Sequence, residues 1–247
     1  MVGFPAVTRS RHILPLVLIG ICVFGATAAV LLGFEWFPVA ASAEAGPIDH
    51  LLWFLTWASA AIFTIVTTVL IYSMWRFRAK KGDLSDGDPI HGHTGIEIVW
   101  TIIPTLLLIV VMVWAWVVLD DIESPDADRL VVPTVAQQFA WTFQYPDIGA
   151  QSGDLRVPLG RQVQLDMRAP DSDVIHSFFV PEFRVKKDVV PGIVTHVWFT
   201  PTKIGTFPVV CTELCGVGHN TMRARVVVMT PADYDAWRSD ARAKAAA

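Results

Sequence analysis

The chain has 247 residues, of which 53% are hydrophobic and only 17% are charged, and its mean hydropathy is +0.48. This composition is too apolar for an ordinary soluble protein, so part of the chain is predicted to lie in a lipid bilayer. The net charge of −4 gives no basic surface for nucleic acid, and the high hydrophobic content excludes a disordered chain.

Three stretches without Asp, Glu, Lys or Arg are each long enough to cross a bilayer core, which takes about 20 residues. They are residues 13–34, 51–75 and 98–119. Basic residues mark the cytoplasmic ends of these stretches: Arg9 and Arg11 before the first, and Arg76, Arg78, Lys80 and Lys81 after the second. The N-terminus and residues 76–97 are therefore predicted to be cytoplasmic, and everything after Leu119 is predicted to lie outside.

The first stretch has a second interpretation as a cleaved signal peptide. Arg9 and Arg11 would form its basic region, and residues 40–43 offer small side chains for cleavage. However, the apolar run is longer than the roughly 7–15 residues of a typical signal peptide core. We favour a retained helix, which makes residues 1–50 an N-terminal helix and linker and residues 51–119 a transmembrane helical hairpin.

Residues 120–247 differ in character from the apolar part. Short runs of β-forming residues, separated by Pro and Gly, predict strands at 130–136, 138–145, 162–169, 175–180, 193–200, 206–210 and 223–230. This spacing is typical of a small β-sandwich. Tyr234 and Trp237 then predict a short C-terminal helix from Pro231. The fold class is thus membrane-anchored all-β, with transmembrane helices followed by a β-sandwich.

Residues 211–222 concentrate side chains that bind metals: Cys211, Cys215, His219 and Met222. Because they lie between two predicted strands, one loop can bring all four to a common centre. Thiolate and thioether are soft ligands, which favour copper over hard cations. Two thiolates four residues apart can each bridge two copper ions, and such a core needs one imidazole for each copper.

The loop supplies one imidazole, and His176 at the edge of a predicted strand is the best candidate for the second. His196, inside a strand, is interpreted as structural. A disulfide or a zinc site with two Cys and two His are alternatives for the loop, but neither explains Met222. A membrane-anchored copper-binding or copper-delivery protein, with one Cu(I) held by the two thiols and the thioether, is the alternative function.

Four segments together resemble subunit II of haem-copper cytochrome c oxidases: residues 97–104, 137–146, 173–177 and 211–222. The resemblance covers roughly residues 50–240. It implies that residues 120–247 form a cupredoxin-like Greek-key sandwich with a binuclear copper A centre. In that family pattern Cys211 and Cys215 bridge the coppers, His176 and His219 are terminal ligands, and Met222 and the Glu213 carbonyl are weak axial ligands.

The resemblance also implies the partners of the chain. It would be a subunit of a respiratory oxidase in the plasma membrane of a bacterium, with its copper domain on the outer side. Electrons would come from cytochrome c or a membrane-bound haem donor and pass to haem in catalytic subunit I, which reduces oxygen to water, and subunit III is expected beside it. The side chain of Glu213 is expected to bind Mg or Mn at the interface with subunit I, and Glu97 to open a proton path into that subunit.

The chain departs from the family pattern where electrons arrive. Related subunits usually place an exposed tryptophan at the position of Phe139, and here Trp141 and Tyr145 follow it. The resemblance therefore predicts that electrons arrive through these three aromatic residues. Gln144 stands where an acid is common, and the charges of residues 120–247 nearly balance, so electrostatic steering of a basic donor is predicted to be weak.

Overall fold

A computed structural model describes residues 10–79, 81–83 and 91–246, with side chains from residue 12 onwards. Arg9 and Lys80, which contributed to the predicted orientation, lie outside the described residues, as does the side chain of Arg11. The contacts divide the chain into two units. The first contains the described residues up to Trp36 together with Leu51–Met112, and the second contains Phe37–His50 with Val113 and the described residues that follow it.

Three long helices cover the predicted apolar stretches except for Phe34 at the end of the first: α1 at Ser10–Gly33, α2 at Ala45–Arg76 and α3 at Thr94–Ile122. All three are long and apolar enough to cross a membrane. Helix α2 begins before its uncharged stretch, so its first turns include Asp49. Helix α3 ends after its stretch, so its last turn includes Asp120 and Asp121. Charged residues at these ends can reach the interfacial water while the apolar middle spans the bilayer.

Ten strands and one helix follow: β1 Leu130–Gln137, β2 Ala140–Tyr145, β3 Ala150–Ser152, β4 Leu155–Pro158, β5 Val163–Arg168, β6 His176–Val180, β7 Val185–Val189, β8 Thr195–Phe199, β9 Gly205–Cys211, β10 Arg223–Met229 and α4 Pro231–Ala245. The strands form two five-stranded sheets, in the orders β3-β2-β1-β5-β8 and β4-β10-β9-β6-β7. Each sheet contains one parallel pair, β1 with β5 and β4 with β10, among antiparallel neighbours. The predicted sandwich is confirmed.

The seven predicted strands and the C-terminal helix are present, but the sequence did not reveal β3, β4 and β7. Strands β3 and β4 have only three and four residues, too few for an alternating pattern to be visible. In β7 only Val185 and Val189 are buried, and Lys186, Lys187 and Asp188 separate them. Such a strand is held by its neighbours in the sheet rather than by its own hydrophobic pattern.

The connecting segment, residues 37–50, folds with the sandwich. The N–H of Ala43 donates to the carbonyl of Thr200 at 3.0 Å. In return, the N–H of Thr200 donates to both carboxylate oxygens of Glu44, at 2.9 and 3.0 Å. The small residues at 40–43, which could suit a signal peptidase, therefore belong to the folded second unit.

Arg184 joins the connecting segment to the sandwich. Its Nε and Nη2 donate to the two carboxylate oxygens of Asp49 at 2.7 and 3.1 Å, and Nη2 also donates to the carbonyl of Pro38 at 2.7 Å. Only 7% of the Arg184 side chain is exposed. A guanidinium suits this place because its planar fork can bind a carboxylate through two parallel hydrogen bonds.

We expect Arg184→Ala to lower the free energy of unfolding of the sandwich by about 2–4 kcal/mol, because Asp49 keeps its charge but loses its partner. Arg161→Ala is the matched control, since its partner Asp128 is 95% exposed, and it should lower that free energy by less than about 1 kcal/mol. Denaturant titration followed by tryptophan fluorescence measures both. Equal effects of the two substitutions would contradict the structural role of Arg184.

Candidate metal centre

The loop between β9 and β10 is closed at its base by strand pairing. Val210 and Arg223 are opposite each other in the antiparallel pair, and the N–H of Cys211 donates to the carbonyl of Met222 at 3.3 Å. Shortly before β10, residues 219–221 form a short 3-10 helix. The two sulphur residues at the ends of the loop are therefore held side by side.

His176 lies on β6, which belongs to the same sheet as β9 and β10. It is the first residue of β6, and β6 pairs with β9 so that Phe178 lies opposite Cys211. The N–H of Thr212 donates to the carbonyl of Ser177 at 3.2 Å, which extends the contact into the loop. Two segments that are distant in the sequence thus place an imidazole beside the thiols.

The ligand atoms of His176, Cys211 and Cys215 all lie within 4.8 Å of one another. The two Sγ atoms are 4.0 Å apart and both thiols are free. Cys215 Sγ lies 3.6 Å from Nδ1 of His219 and 3.8 Å from Sδ of Met222. The backbone carbonyl oxygen of Glu213 is 3.4 Å from Cys211 Sγ. The structure thus brings together all six residues that the sequence analysis named as ligands.

Most of the site is buried, and the imidazole of His176 lacks a hydrogen-bond partner in the described part of the chain. His176 is fully buried, and among the described residues neither of its ring nitrogens makes a hydrogen bond. The nearest charged group is Asp173, whose Oδ1 lies 3.4 Å from His176 Nε2. Asp173 thus contacts Nε2 without a well-formed hydrogen bond, and Nδ1 is buried without a polar partner in the described part of the chain. This is unfavourable, and a metal ion would supply the missing partner. With the thiols and the buried thioether of Met222, this donor set is soft and fits copper.

Burial also controls protonation at the site. Burial, together with the neighbouring Cys211, raises the pKa of Cys215 to about 11. Burial lowers the pKa of His176, although Asp173 partly opposes this. For Asp173 itself, burial disfavours the charge, but hydrogen bonds from the N–H groups of Val174 and Gln138 and the nearby imidazole lower its pKa overall. Near neutral pH the metal-free site therefore holds a neutral imidazole, which is the form that binds metals.

The three aromatic residues named for electron arrival occupy different places. Trp141 is 3% exposed, and its ring makes an edge contact with that of His176 at 6.5 Å between centroids. Phe139 is half-buried and its ring lies against the ligand loop. Tyr145 is four residues further along β2 than Trp141, roughly 13 Å away at the usual strand rise. Its ring packs on Trp237 of α4 at 4.8 Å between centroids.

The side-chain carboxylates of Glu97 and Glu213, for which roles were predicted from the sequence, lie apart from the thiols. Glu97 is exposed in the first turn of α3, where its Oε1 accepts the N–H of His93 at 3.0 Å. The carboxylate of Glu213 is half-exposed, 3.8 Å from Nζ of Lys186. His196, interpreted as structural, bonds Asp166 Oδ1 through Nδ1 at 2.7 Å.

Sequence reasoning missed two residues that support the site, Asp173 and Gln138. The Oδ2 atom of Asp173 accepts the backbone N–H of Gln138 at 3.0 Å, and the side-chain Nε2 of Gln138 donates to the carbonyl of Cys215. Both residues stand inside segments that carry the family resemblance. Their chemistry alone, an acid and an amide in loops, did not distinguish them from solvated residues.

Two family descriptions match the chain: "Cytochrome C oxidase subunit II, transmembrane domain" over residues 26–118, and "Cytochrome C oxidase subunit II, periplasmic domain" over residues 149–230. Cytochrome c oxidase subunit 2 of Synechocystis sp. is 33% identical, over 81% of this chain and 74% of the relative. The same subunit of Thermostichus vulcanus is 34% identical, over 85% and 80%. A solved periplasmic domain of cytochrome oxidase subunit II from Bradyrhizobium japonicum is 29% identical, covers 49% of this chain and 97% of that domain, and has a TM-score of 0.44.

The matched family descriptions identify a component of an oxidoreductase complex that is anchored in a membrane and carries a copper-site domain outside the cytoplasm. The predicted resemblance is confirmed over both the helical part and the sandwich. The chain belongs to the cytochrome c oxidase subunit II family.

Proposed function

We propose that this subunit II receives electrons from a haem protein at a binuclear copper A centre and delivers them to haem in catalytic subunit I. The observation that carries the proposal is the fully buried imidazole of His176, which has no hydrogen-bond partner in the described part of the chain and faces two free thiols. Of the alternatives considered above, only a copper site also uses the thioether of Met222.

Six residues would hold the two copper ions. Cys211 and Cys215 would bind through their thiolates and His176 and His219 through their imidazoles, while Sδ of Met222 and the carbonyl of Glu213 would be weaker donors. When bound, a binuclear copper A centre supplies one-electron transfer with little change in bond length. The chain contributes rigidity, because the β9–β10 pairing fixes both ends of the loop and β6 fixes His176.

Phe139 and Trp141 are the best placed of the three aromatic residues to lie between a docked donor and the site. Phe139 is half-buried and contacts the loop, and Trp141 is buried beside His176. The carboxylate of Asp173 is only 9% exposed and therefore offers little attraction to a basic protein. A donor such as cytochrome c or a membrane-bound haem protein would dock here with weak electrostatic steering.

The remaining proposals concern the other subunits. No residue of α3, which is described in full, is buried in this chain, so its apolar surface is available to lipid or to subunits I and III. The half-exposed carboxylate of Glu213 follows the first thiol by two residues and would bind Mg or Mn together with ligands from subunit I. Glu97, at the cytoplasmic end of α3, would open a proton path into subunit I.

Copper loading of the full chain in detergent tests the proposal. We expect two copper ions per chain and an electron paramagnetic resonance spectrum in which one unpaired electron is shared by two copper nuclei. One silent Cu(I) per chain would instead support copper delivery. Preferential retention of zinc would contradict both copper functions.

Copper affinity is expected to increase with pH. The Cys215 thiol, whose pKa is raised to about 11 by burial and by Cys211, is protonated near neutral pH and must lose its proton when copper binds. The apparent affinity should therefore rise about tenfold per pH unit for each proton released, between roughly pH 6 and 9. Competition titrations with a chelator, corrected for the protonation of that chelator, measure this slope. A pH-independent affinity would contradict the buried, protonated thiol.

A further inference from the structure

The turn between β1 and β2, residues 138–139, contacts the ligand loop at two points. Nε2 of Gln138 donates a hydrogen bond to the backbone carbonyl of Cys215. The ring of Phe139 covers the backbone at Gly216 and Gly218. The loop is therefore contacted on both sides of Val217, which is itself fully exposed.

The two glycines show how closely the ring lies on the loop. A Cβ atom on Gly218 would be 2.6 Å from Cγ and 2.8 Å from Cε2 of Phe139, closer than non-bonded carbon atoms approach in proteins. The backbone of Gly218 is ordinary, with φ −94° and ψ 9°, so its own conformation does not demand glycine. Glycine is required at this position because of the contact with Phe139. At Gly216 the positive φ of 134° already favours glycine.

The same turn contacts the segment that precedes His176. The backbone N–H of Gln138 donates to Oδ2 of Asp173 at 3.0 Å, and Oδ1 of Asp173 lies 3.4 Å from Nε2 of His176. Oδ1 also accepts the N–H of Val174 at 2.8 Å. One turn thus connects the two segments of the chain that bring the imidazoles and thiols together.

The middle of the ligand loop is held partly by its own backbone, since the N–H of His219 donates to the carbonyl of Gly216 at 3.1 Å. Leu214 and Val217 are 83% and 101% exposed, so neither side chain anchors the loop in the core. Cys215 and His219 lie on either side of Val217, several residues from the strands that fix the loop ends. Contacts made from outside the loop therefore add to the loop's own hydrogen bonds in setting the positions of Cys215 and His219 relative to His176.

We propose that Gln138 and Phe139 are positioning residues, which hold Cys215 and His219 at a fixed distance from His176. The importance of this positioning for electron transfer rests on the proposed function. Gln138 acts through the carbonyl of Cys215, and Phe139 acts by packing on the backbone at Gly218. A loop held in this way rearranges little when the charge of a bound metal changes.

A double-mutant cycle tests the packing of Phe139. In the copper-loaded full chain, Gly218→Ala is expected to speed copper release to a chelator about tenfold and to change the copper hyperfine pattern. In the Phe139→Ala background the same Gly218→Ala substitution should have little further effect, because the ring that it strikes is gone. Equal effects of Gly218→Ala in both backgrounds would overturn the role of Phe139.

A second comparison tests Gln138 and remains informative if Gly218→Ala fails to fold. Gln138→Leu keeps a similar volume but removes the donor, and it should speed copper release about fivefold, the usual factor for one lost hydrogen bond. It should also shift the reduction potential. Gln137→Leu is the matched control at the exposed neighbouring position and should match the wild type. Identical potentials and release rates for Gln138→Leu and Gln137→Leu would overturn the role of Gln138.

Hydrogen exchange in the metal-free chain separates this inference from the proposed function. Gln138→Leu is expected to accelerate amide exchange at residues 215–219 while exchange in β9 and β10 stays unchanged. Unaltered exchange in the loop would contradict positioning, whatever metal the chain binds. Conversely, a wild-type chain that holds fewer than two coppers would contradict the binuclear centre and leave the exchange result standing.

Discussion

Cys215→Ser is expected to reduce the copper content from two ions per chain to one or none. The Sγ atom of Cys215 lies within 4.0 Å of three other candidate ligand atoms, those of Cys211, His219 and Met222. An alcohol is a poor ligand for a soft metal, and a single thiolate cannot hold two copper ions in a closed core. The spectrum of a shared unpaired electron should disappear together with the second copper.

Two comparisons make this result specific. Cys22→Ser is the same chemical change in α1, outside the loop, and should leave two coppers per chain. Met222→Leu conserves volume and both thiols, so copper should remain while the reduction potential shifts. Metal analysis and electron paramagnetic resonance of the three purified variants measure these outcomes. Two coppers per chain in Cys215→Ser would show that this thiol does not bridge.

Glu97→Gln is expected to lower turnover of the assembled oxidase about tenfold or more, while copper content stays that of the wild type. Oε1 of Glu97 accepts the N–H of His93 at the start of α3, and a glutamine oxygen can accept the same hydrogen bond. The substitution therefore preserves the local structure and removes only the carboxylate. Proton uptake through a path that begins at this residue should slow in parallel with turnover.

Oxygen consumption and proton uptake in reconstituted vesicles measure this effect. Glu123→Gln provides a matched control just beyond the other end of α3, where the carboxylate pairs with Lys187 at 3.1 Å. Its turnover should stay close to that of the wild type. Wild-type turnover and proton uptake in Glu97→Gln would show that Glu97 only caps the start of α3 and does not open a proton path.

Local chemistry made much of this molecule readable from its sequence. Uncharged stretches of more than 20 residues located the helices, and alternation located most strands. Cys211, Cys215, His219 and Met222 are close in sequence, so one loop sufficed to group them. His176 was found because the loop supplies one imidazole where two are needed.

Contacts between distant segments could not be read in this way. The hydrogen bond from Gln138 to the carbonyl of Cys215 joins residues 77 positions apart, and it depends on how a turn of one sheet meets a loop of the other. It leaves no periodic pattern and needs no unusual residue type. Strand β7, with charged residues between two buried valines, was missed for a related reason, because its neighbours rather than its own pattern define it.

During biosynthesis, the connecting segment can pair with the sandwich only after a delay. Glu44 meets Thr200, a residue 156 positions later in the chain. At about 5–20 residues per second, a ribosome needs roughly 8–30 s to reach that partner, so the connecting segment must wait in its unpaired state for this time. Cys211 and Cys215 follow Thr200 by 11 and 15 positions, which adds roughly 1–3 s at the same rate. The sandwich partner of the connecting segment and the thiols of the ligand loop are therefore synthesised within a few seconds of each other, long after the connecting segment itself.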